Sequence, residues 1–131
     1  MAKQYFVPFG RYFVLHPGRF VLAATLEWLR IPTCYTAFVV GKSSLGRRGI
    51  IIETAAGVHP GFSGCLTLEI ANVGELPISV MPGQPICQLF VHSMDGELAT
   101  TITAHAGQRK PRLGQMKNDA VLTKLLASRD L

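Results

Sequence analysis

The sequence predicts an all-β domain that ends in a short helix. Three Pro-Gly turns each open an apolar, β-branched run, in "HPGRFVLAATLEW", "HPGFSGCLTLEI" and "MPGQPICQLFVH". Proline fixes φ at about −65° and glycine takes a positive φ, which the two central positions of a type II turn require. Short strands with this punctuation, and without alternating helices, are typical of a β-sandwich or barrel.

The remaining elements follow from the same kind of pattern. The runs "YTAFVVG" and "GIIIETAA" have the length and composition of strands. Near the end, apolar residues recur at helical spacing, and Asn118 or Asp119 is the expected N-cap of that helix. The preceding "AHAGQRKPRLGQMK" is basic and contains Gly and Pro, so we expect an arm or linker there. We therefore expect a β domain over residues 1–104 and a basic arm with a helix over residues 105–131.

The composition excludes several classes of protein. Of the 131 residues, 48% are hydrophobic and 16% are charged, which suits one folded domain rather than a disordered chain. No apolar run is long enough to cross a membrane, and the N-terminus lacks the apolar core of a secretory signal. The cysteines Cys34, Cys65 and Cys87 lack both zinc-site spacing and disulfide density. We expect a cytoplasmic protein with reduced, mostly buried thiols.

The charge balance favours an anionic partner. The formal net charge is +5 and the pI is about 9.5. The excess is concentrated in "GKSSLGRRG" and "GQRKPRLGQMK", and neither cluster has the interleaved aromatic residues usual in single-strand nucleic-acid platforms. These compact clusters favour a small phosphorylated ligand over nucleic acid or membrane. The net charge alone leaves a nucleic-acid-binding β-barrel as an alternative.

One carboxylate, Glu69, interrupts the apolar run "GCLTLEIAN". Strand side chains alternate between two faces, so Leu66, Leu68 and Ile70 share a core face and Glu69 points away from it. Glutamate is depleted in strands, and its neighbours on that face are small. Glu69 is therefore either a solvent-facing residue or part of a ligand site.

The segment "GKSSLGRRGI" carries glycines, hydroxyls and cations together. Glycines let backbone N–H groups approach an anion, hydroxyls donate hydrogen bonds, and Lys or Arg neutralises charge. The Walker A pattern is absent. The segment is therefore either an anion-binding loop or a polar turn between strands.

Together, "GKSSLGRRGI", "TAAGVHPGFSGCLTLEIAN" and "PGQPICQLFVH" resemble the dCTP deaminase branch of the trimeric dUTPase-like family. The similarity covers about residues 11–92, and "TLE" separates this branch from the pure diphosphatases. The resemblance implies a distorted jelly-roll (dUTPase-like β-clip) subunit. It also implies a homotrimer with nucleotide sites at the subunit interfaces. The implied activity is hydrolytic deamination of dCTP to dUTP and ammonia by a glutamate-activated water.

The same resemblance implies the catalytic groups. Glu69 matches the catalytic glutamate, Arg47 the arginine that orients the water, and Ser43 a serine that assists and also reaches a phosphate. Mg²⁺ is implied only on the nucleotide phosphates. Zinc is not expected, because the H-x-E and P-C-x-x-C motifs of the zinc deaminases are absent.

The resemblance also implies the substrate contacts. The triphosphate is expected to be bound by Lys42, Ser43 and Ser44. The edge of the base is expected to be recognised by backbone groups near Thr54 and Ala55. The deoxyribose is expected to pack against Phe62. Gln88 also fits the family pattern, and we interpret it as structural.

Three features depart from the family. His59 occupies a turn position where the diphosphatases carry the Asp that activates water. Histidine can contact the sugar 3′-OH but matches the base role poorly, so His59 argues against dUTP hydrolysis. The tail offers Lys110 and Gln115 for closure over the triphosphate, at an unusual spacing. Relatives usually have an extra N-terminal segment, and we expect the trimer contacts that it supplies to be absent or replaced. A non-catalytic nucleotide-binding or regulatory homologue and a dUTP diphosphatase remain alternatives.

Overall fold

Strands dominate the structure, a computed structural model that describes residues 3–54, 56–96, 107, 109–111 and 120–127. In chain order, the strands in these ranges are β1 (Phe13–Leu15), β2 (Phe20–Ala24), β3 (Leu29–Arg30), β4 (Tyr35–Gly41), β5 (Ile50–Glu53), β6 (Ser63–Gly64), β7 (Thr67–Asn72), β8 (Ile78–Val80) and β9 (Cys87–Ser93). The helices are α1 (Ser43–Gly46) and α2 (Ala120–Ala127). The predicted all-β class with a short C-terminal helix is confirmed, whereas its expected caps, Asn118 and Asp119, lie outside the described residues.

The strands form small antiparallel sheets. The largest has the order β2-β7-β5, and the pairs β1-β8, β3-β6 and β4-β9 complete the set among the described strands. The predicted strand "YTAFVVG" corresponds to β4, whereas the predicted run "GIIIETAA" is a strand, β5, only over Ile50–Glu53. Because β7 lies between two partners, its side chains project from the middle of the central sheet.

The predicted Pro-Gly turns are present with the expected backbone geometry. Each turn glycine has a positive φ: +72° at Gly18, +78° at Gly61 and +85° at Gly83. In each turn, the residue after glycine donates its N–H to the carbonyl of the residue before proline: Arg19 to His16 at 3.2 Å, Phe62 to His59 at 3.1 Å and Gln84 to Met81 at 3.1 Å. These features are those of the predicted type II turns.

The core lies on one face of the central sheet. Leu68 and Ile70 are 2% and 5% exposed, and the β7 residues between and beside them on the other face are only half-buried. Ile50 and Ile52 of β5 are both buried on the same side. The predicted alternation of faces along this strand is therefore confirmed.

Asn72 is a buried polar residue at the end of β7. Its amide nitrogen donates to the carbonyls of Leu15, at 2.8 Å, and Leu76, at 2.9 Å. Its Oδ1 accepts from the Gly74 N–H at 3.0 Å. The side chain therefore ties β1 and the β7–β8 turn to the central sheet with its polar groups paired.

The prediction of mostly buried thiols is wrong. Cys34 is exposed because it lies in the turn before β4, and Cys65 and Cys87 are half-buried. Burial raises the pKa of the Cys87 thiol, and the negative charge of Glu27 adds to that rise. Within the described ranges, the structure has no helix with the length and apolar character of a membrane span.

Candidate active site

The segment from Lys42 to Arg47, here called the phosphate turn, is one helical turn rather than an open loop. Leu45 is 6% exposed and anchors the turn in the core. The Lys42 N–H donates to the Ile86 carbonyl at 2.9 Å, and the Arg47 N–H donates to the Ser43 carbonyl at 2.9 Å. Because only Leu45 is buried, the cations and serine hydroxyls of the turn, at Lys42, Ser43, Ser44 and Arg47, remain exposed.

Glu69 lies on the central strand and points away from the core, as predicted. Its ladder partners are Leu22 on β2 and Glu53 on β5. Directly opposite residues in a ladder project from the same side of the sheet. We call this side the outer face; its residues are Phe20, Leu22, Ala24, Ile51, Glu53, Thr67, Glu69 and Ala71.

The outer face is apolar around its two carboxylates. Phe20 and Ile51, in the row next to Glu69, are 56% and 43% exposed. Among the residues that the structure describes, the Glu69 side chain makes no hydrogen bond or ion pair. An unpartnered carboxylate on an exposed apolar surface is suited to a ligand or to a second chain that covers the face.

The predicted base-edge segment begins where β5 ends. Thr54 is half-buried, and its hydroxyl donates to the Ala56 carbonyl at 2.6 Å, which bends the chain after Glu53. Ala55 lies outside the described residues. Farther on, Val58 exchanges backbone hydrogen bonds with Ala37 of β4, at 2.7 and 3.1 Å, so this segment is fixed at both ends.

His59 and Phe62 lie in the Pro-Gly turn before β6. The His59 side chain is exposed. Phe62 is half-buried against the core, and its carbonyl accepts from the Ile31 N–H at 2.8 Å. The turn therefore presents His59 outward, while much of the Phe62 ring is used in packing.

Two described residues of the predicted basic arm, Gly107 and Arg109, contact β6 and Trp28 next to this turn. The Gly107 N–H donates to the Ser63 carbonyl at 2.7 Å. The Arg109 guanidinium lies 5.3 Å from the ring centroid of Trp28, whose indole N–H donates to the Ser63 hydroxyl at 3.2 Å. Lys110 is exposed in this segment. Gln115 lies outside the described residues.

The predicted site residues fall into two groups within one chain. The phosphate turn precedes β5, whereas Glu53 and Thr54 are at its end, beside Glu69. Three residue steps along a strand span about 10 Å. In the described part of the chain, Glu69 contacts neither Ser43 nor Arg47 through a hydrogen bond or ion pair. In the described part of one chain, the three predicted catalytic groups are therefore not joined by a hydrogen bond or an ion pair.

Sequence reasoning missed two residues near these groups. Glu53 ends the strand "IIIE", and its position opposite Glu69 follows only from the β5–β7 register. Trp28 supports the arm through a contact distant in sequence, so no local pattern indicates it. The signal for Glu53 was a charged residue at the end of an otherwise apolar strand.

The donor groups of the phosphate turn suit phosphate oxygens. The turn offers hydroxyls, an ammonium and a guanidinium, and it contains no carboxylate. Within the described ranges, no group of three or more His, Cys, Asp and Glu side chains is placed to hold a metal ion.

Comparisons with known proteins identify similar sequences. Residues 1–94 match the family model described as dCTP deaminase-like. The "dCTP deaminase, dUMP-forming" of Hydrogenobaculum sp. is 47% identical over 89 residues, which cover 68% of this chain and 50% of that protein. The protein of the same name from Methanobrevibacter smithii is 39% identical over 120 residues, covering 91% of this chain and 61% of that protein. The chain thus spans between 50% and 61% of the length of these two relatives.

Solved structures identify the fold. The native dUTPase of EIAV superposes with a TM-score of 0.58 at 20% identity, over 75% of this chain and 79% of that chain. A D95N dUTPase from phage phi11 of S. aureus, described with a structural Mg(II) ion, superposes with a TM-score of 0.56 at 18% identity. The superposition covers 72% of this chain and 79% of that chain. The predicted jelly-roll fold of the dUTPase type is confirmed.

Proposed function

Because the chain belongs to the dCTP deaminase-like family, we propose that it catalyses the hydrolytic deamination of dCTP to dUTP and ammonia. The observation that carries this proposal is Glu69, a carboxylate without a side-chain partner among the described residues, on an apolar sheet face within the part of the chain that matches the family model. The activities named for the relatives support the same reaction class.

The proposed chemistry needs a base, a proton donor and an oriented water. Glu69 takes a proton from water as the oxygen attacks C4 of cytosine, and then delivers protons toward N3 and the departing ammonia. Water and dCTP are thereby converted to dUTP and ammonia, with Glu69 returned to its starting state. Arg47 orients the water and Ser43 assists it, as the family resemblance implies.

The proposed triphosphate contacts come from the exposed end of the phosphate turn. Lys42 neutralises charge, and the hydroxyls of Ser43 and Ser44 donate to phosphate oxygens. Magnesium bound to the phosphates would neutralise further negative charge. Contacts of Thr54 and Ala55 with the base, of Phe62 and His59 with the sugar, and of Lys110 and Gln115 with the phosphates stay predictions, as does the division of the chain after residue 104.

We place the complete site between subunits of a homotrimer. Within one chain the phosphate turn and Glu69 are at different positions along the central sheet, and the face that carries Glu69 is apolar and exposed. A neighbouring copy that covers Phe20 and Ile51 would bury this face and bring its own phosphate turn to Glu69. Such an interface is heterologous, because two different surfaces of the subunit meet, and its repetition by threefold rotation closes a ring of three subunits.

The second candidate is a reaction that continues to dUMP and pyrophosphate. It is favoured by the names of the relatives, which are described as dUMP-forming. His59 favours dUTP as the final product, because the resemblance assigns the water-activating base of the diphosphatases to an Asp at this turn. The side chain is exposed there, so it is available to a sugar or phosphate.

Product analysis tests the proposal. The full chain is incubated with dCTP and Mg²⁺, the nucleotides are separated, and ammonia and pyrophosphate are measured. We expect dUTP and ammonia in equal amounts without pyrophosphate. Appearance of dUMP with pyrophosphate would establish the second candidate. Absence of product, together with a nucleotide-dependent rise in melting temperature, would indicate a binding homologue instead.

A further inference from the structure

A second carboxylate lies next to the proposed catalytic one. Glu53 is the ladder partner of Glu69, so both side chains project from the outer face. Directly opposite residues have Cβ atoms about 5 Å apart, and like charges in this arrangement destabilise a sheet. Among the described residues, no cation or hydrogen-bond donor lies against either carboxylate, so both are available to a ligand or a second chain.

The surroundings of Glu53 leave its carboxylate available. The side chain is exposed, and within the described residues it makes no hydrogen bond or ion pair. The next residue, Thr54, begins the bend that its hydroxyl closes on the Ala56 carbonyl. Glu53 therefore lies between Glu69 and the segment proposed to read the base edge.

The chemistry of a carboxylate selects between the substrate and the product of the proposed reaction. An ionised carboxylate only accepts hydrogen bonds. Cytosine presents a 4-amino donor, whereas uracil presents a 4-oxo acceptor at the same position. A carboxylate facing this position attracts the first base and repels the second.

We propose that Glu53 is a specificity-determining residue that accepts a hydrogen bond from the 4-amino group of a cytosine nucleotide and disfavours the uracil product. The inference rests on the proposed function and deepens it. Glu69 acts on water and the ring, while Glu53 recognises the amino group that leaves. Repulsion between Glu53 and the new carbonyl oxygen also promotes product release.

The test replaces Glu53 by glutamine, which keeps its shape and adds an N–H donor for a 4-oxo group. The binding constants of dCTP and dUTP are measured by calorimetry in the Glu69→Gln background, so that dCTP is not consumed. We expect the preference for dCTP over dUTP to fall by about tenfold or more, since the charged acceptor of the 4-amino group becomes a neutral one and the repulsion of the 4-oxo group is replaced by a donor. Glu27→Gln, an exposed change in the β2–β3 turn, is the matched control and leaves the preference unchanged.

The outcomes separate this inference from the proposed function. An unchanged dCTP preference in Glu53→Gln, with dCTP deamination by the wild type, overturns the inference alone. A lost preference with no deamination by the wild type supports Glu53 as a base reader and overturns the deaminase. Binding of neither nucleotide overturns both. Because the Glu53 side chain is exposed and has no hydrogen bond or ion pair with the described residues, we expect Glu53→Gln to leave the melting temperature of the Glu69→Gln background unchanged, which excludes misfolding.

Discussion

Gly49 packs its backbone directly against that of Gly74. A Cβ added to Gly49 would lie 2.4 Å from the Gly74 Cα, and Gly49 has a φ of +90°. The Val73 N–H also donates to the Gly49 carbonyl at 2.8 Å. This contact joins the chain just after the phosphate turn to the chain just after β7, the strand that carries Glu69.

We predict that Gly49→Ala lowers the free energy of unfolding by about 3 kcal/mol, because a side chain there meets backbone and is strained at positive φ. Urea unfolding followed by circular dichroism measures the loss. Gly46→Ala is the matched control, since its added Cβ meets nothing within 4 Å. Similar losses in the two variants would contradict the close backbone contact.

The buried amide of Asn72 gives a second stability prediction. Asn72→Asp keeps the size of the side chain but removes the donor to the Leu15 and Leu76 carbonyls. We expect a loss of about 3 kcal/mol at neutral pH, because buried acceptors are left without a donor and a charge is added. Gln84→Glu serves as the amide-to-acid control, since it keeps the acceptor for the Met81 N–H. A change within experimental error for Asn72→Asp would refute this account of the β1–β7 connection.

Mixed subunits test the proposed division of the site between neighbouring copies. Glu69→Gln and Arg47→Gln are each expected to be inactive alone. When they are unfolded together in equal amounts and refolded, about a quarter of the sites in a ring pair an intact Glu69 with an intact Arg47 from the neighbour. We therefore expect ammonia release to return to about a quarter of the wild-type rate.

Two controls accompany this experiment. A mixture of Glu69→Gln with Glu69→Ala stays inactive whatever the arrangement of the site. Light scattering establishes that the mixed samples are trimers. Trimers that regain no activity would show that Glu69 and Arg47 act within the same chain.

Local features of this fold follow from the sequence because they depend on short segments. The turn around Gly61 needs only the conformational preferences of Pro and Gly, and the burial of Leu68 follows from alternation along one strand. The helical turn around Leu45 was not predicted, because its shape depends on the core that receives that side chain.

Relationships between distant segments were not predictable in the same way. The pairing of Glu53 with Glu69 depends on the register of two strands, and a shift by one residue would have placed Glu53 opposite Ile70 or Leu68. The Arg109–Trp28 contact likewise joins segments far apart in sequence. The candidate site was recognised from motif resemblance, and its geometry required the folded chain.

The most direct test of the central claim compares dCTP deamination by the wild type and by Glu69→Gln. Ammonia release is measured with saturating dCTP and Mg²⁺, and dCTP binding to the variant is measured separately. We predict a rate lower by about a thousandfold, the scale of a lost general base, with dCTP still bound. A variant that keeps a rate within about tenfold of the wild type, where general-base removal should cost more, would contradict the assignment of Glu69 as the base.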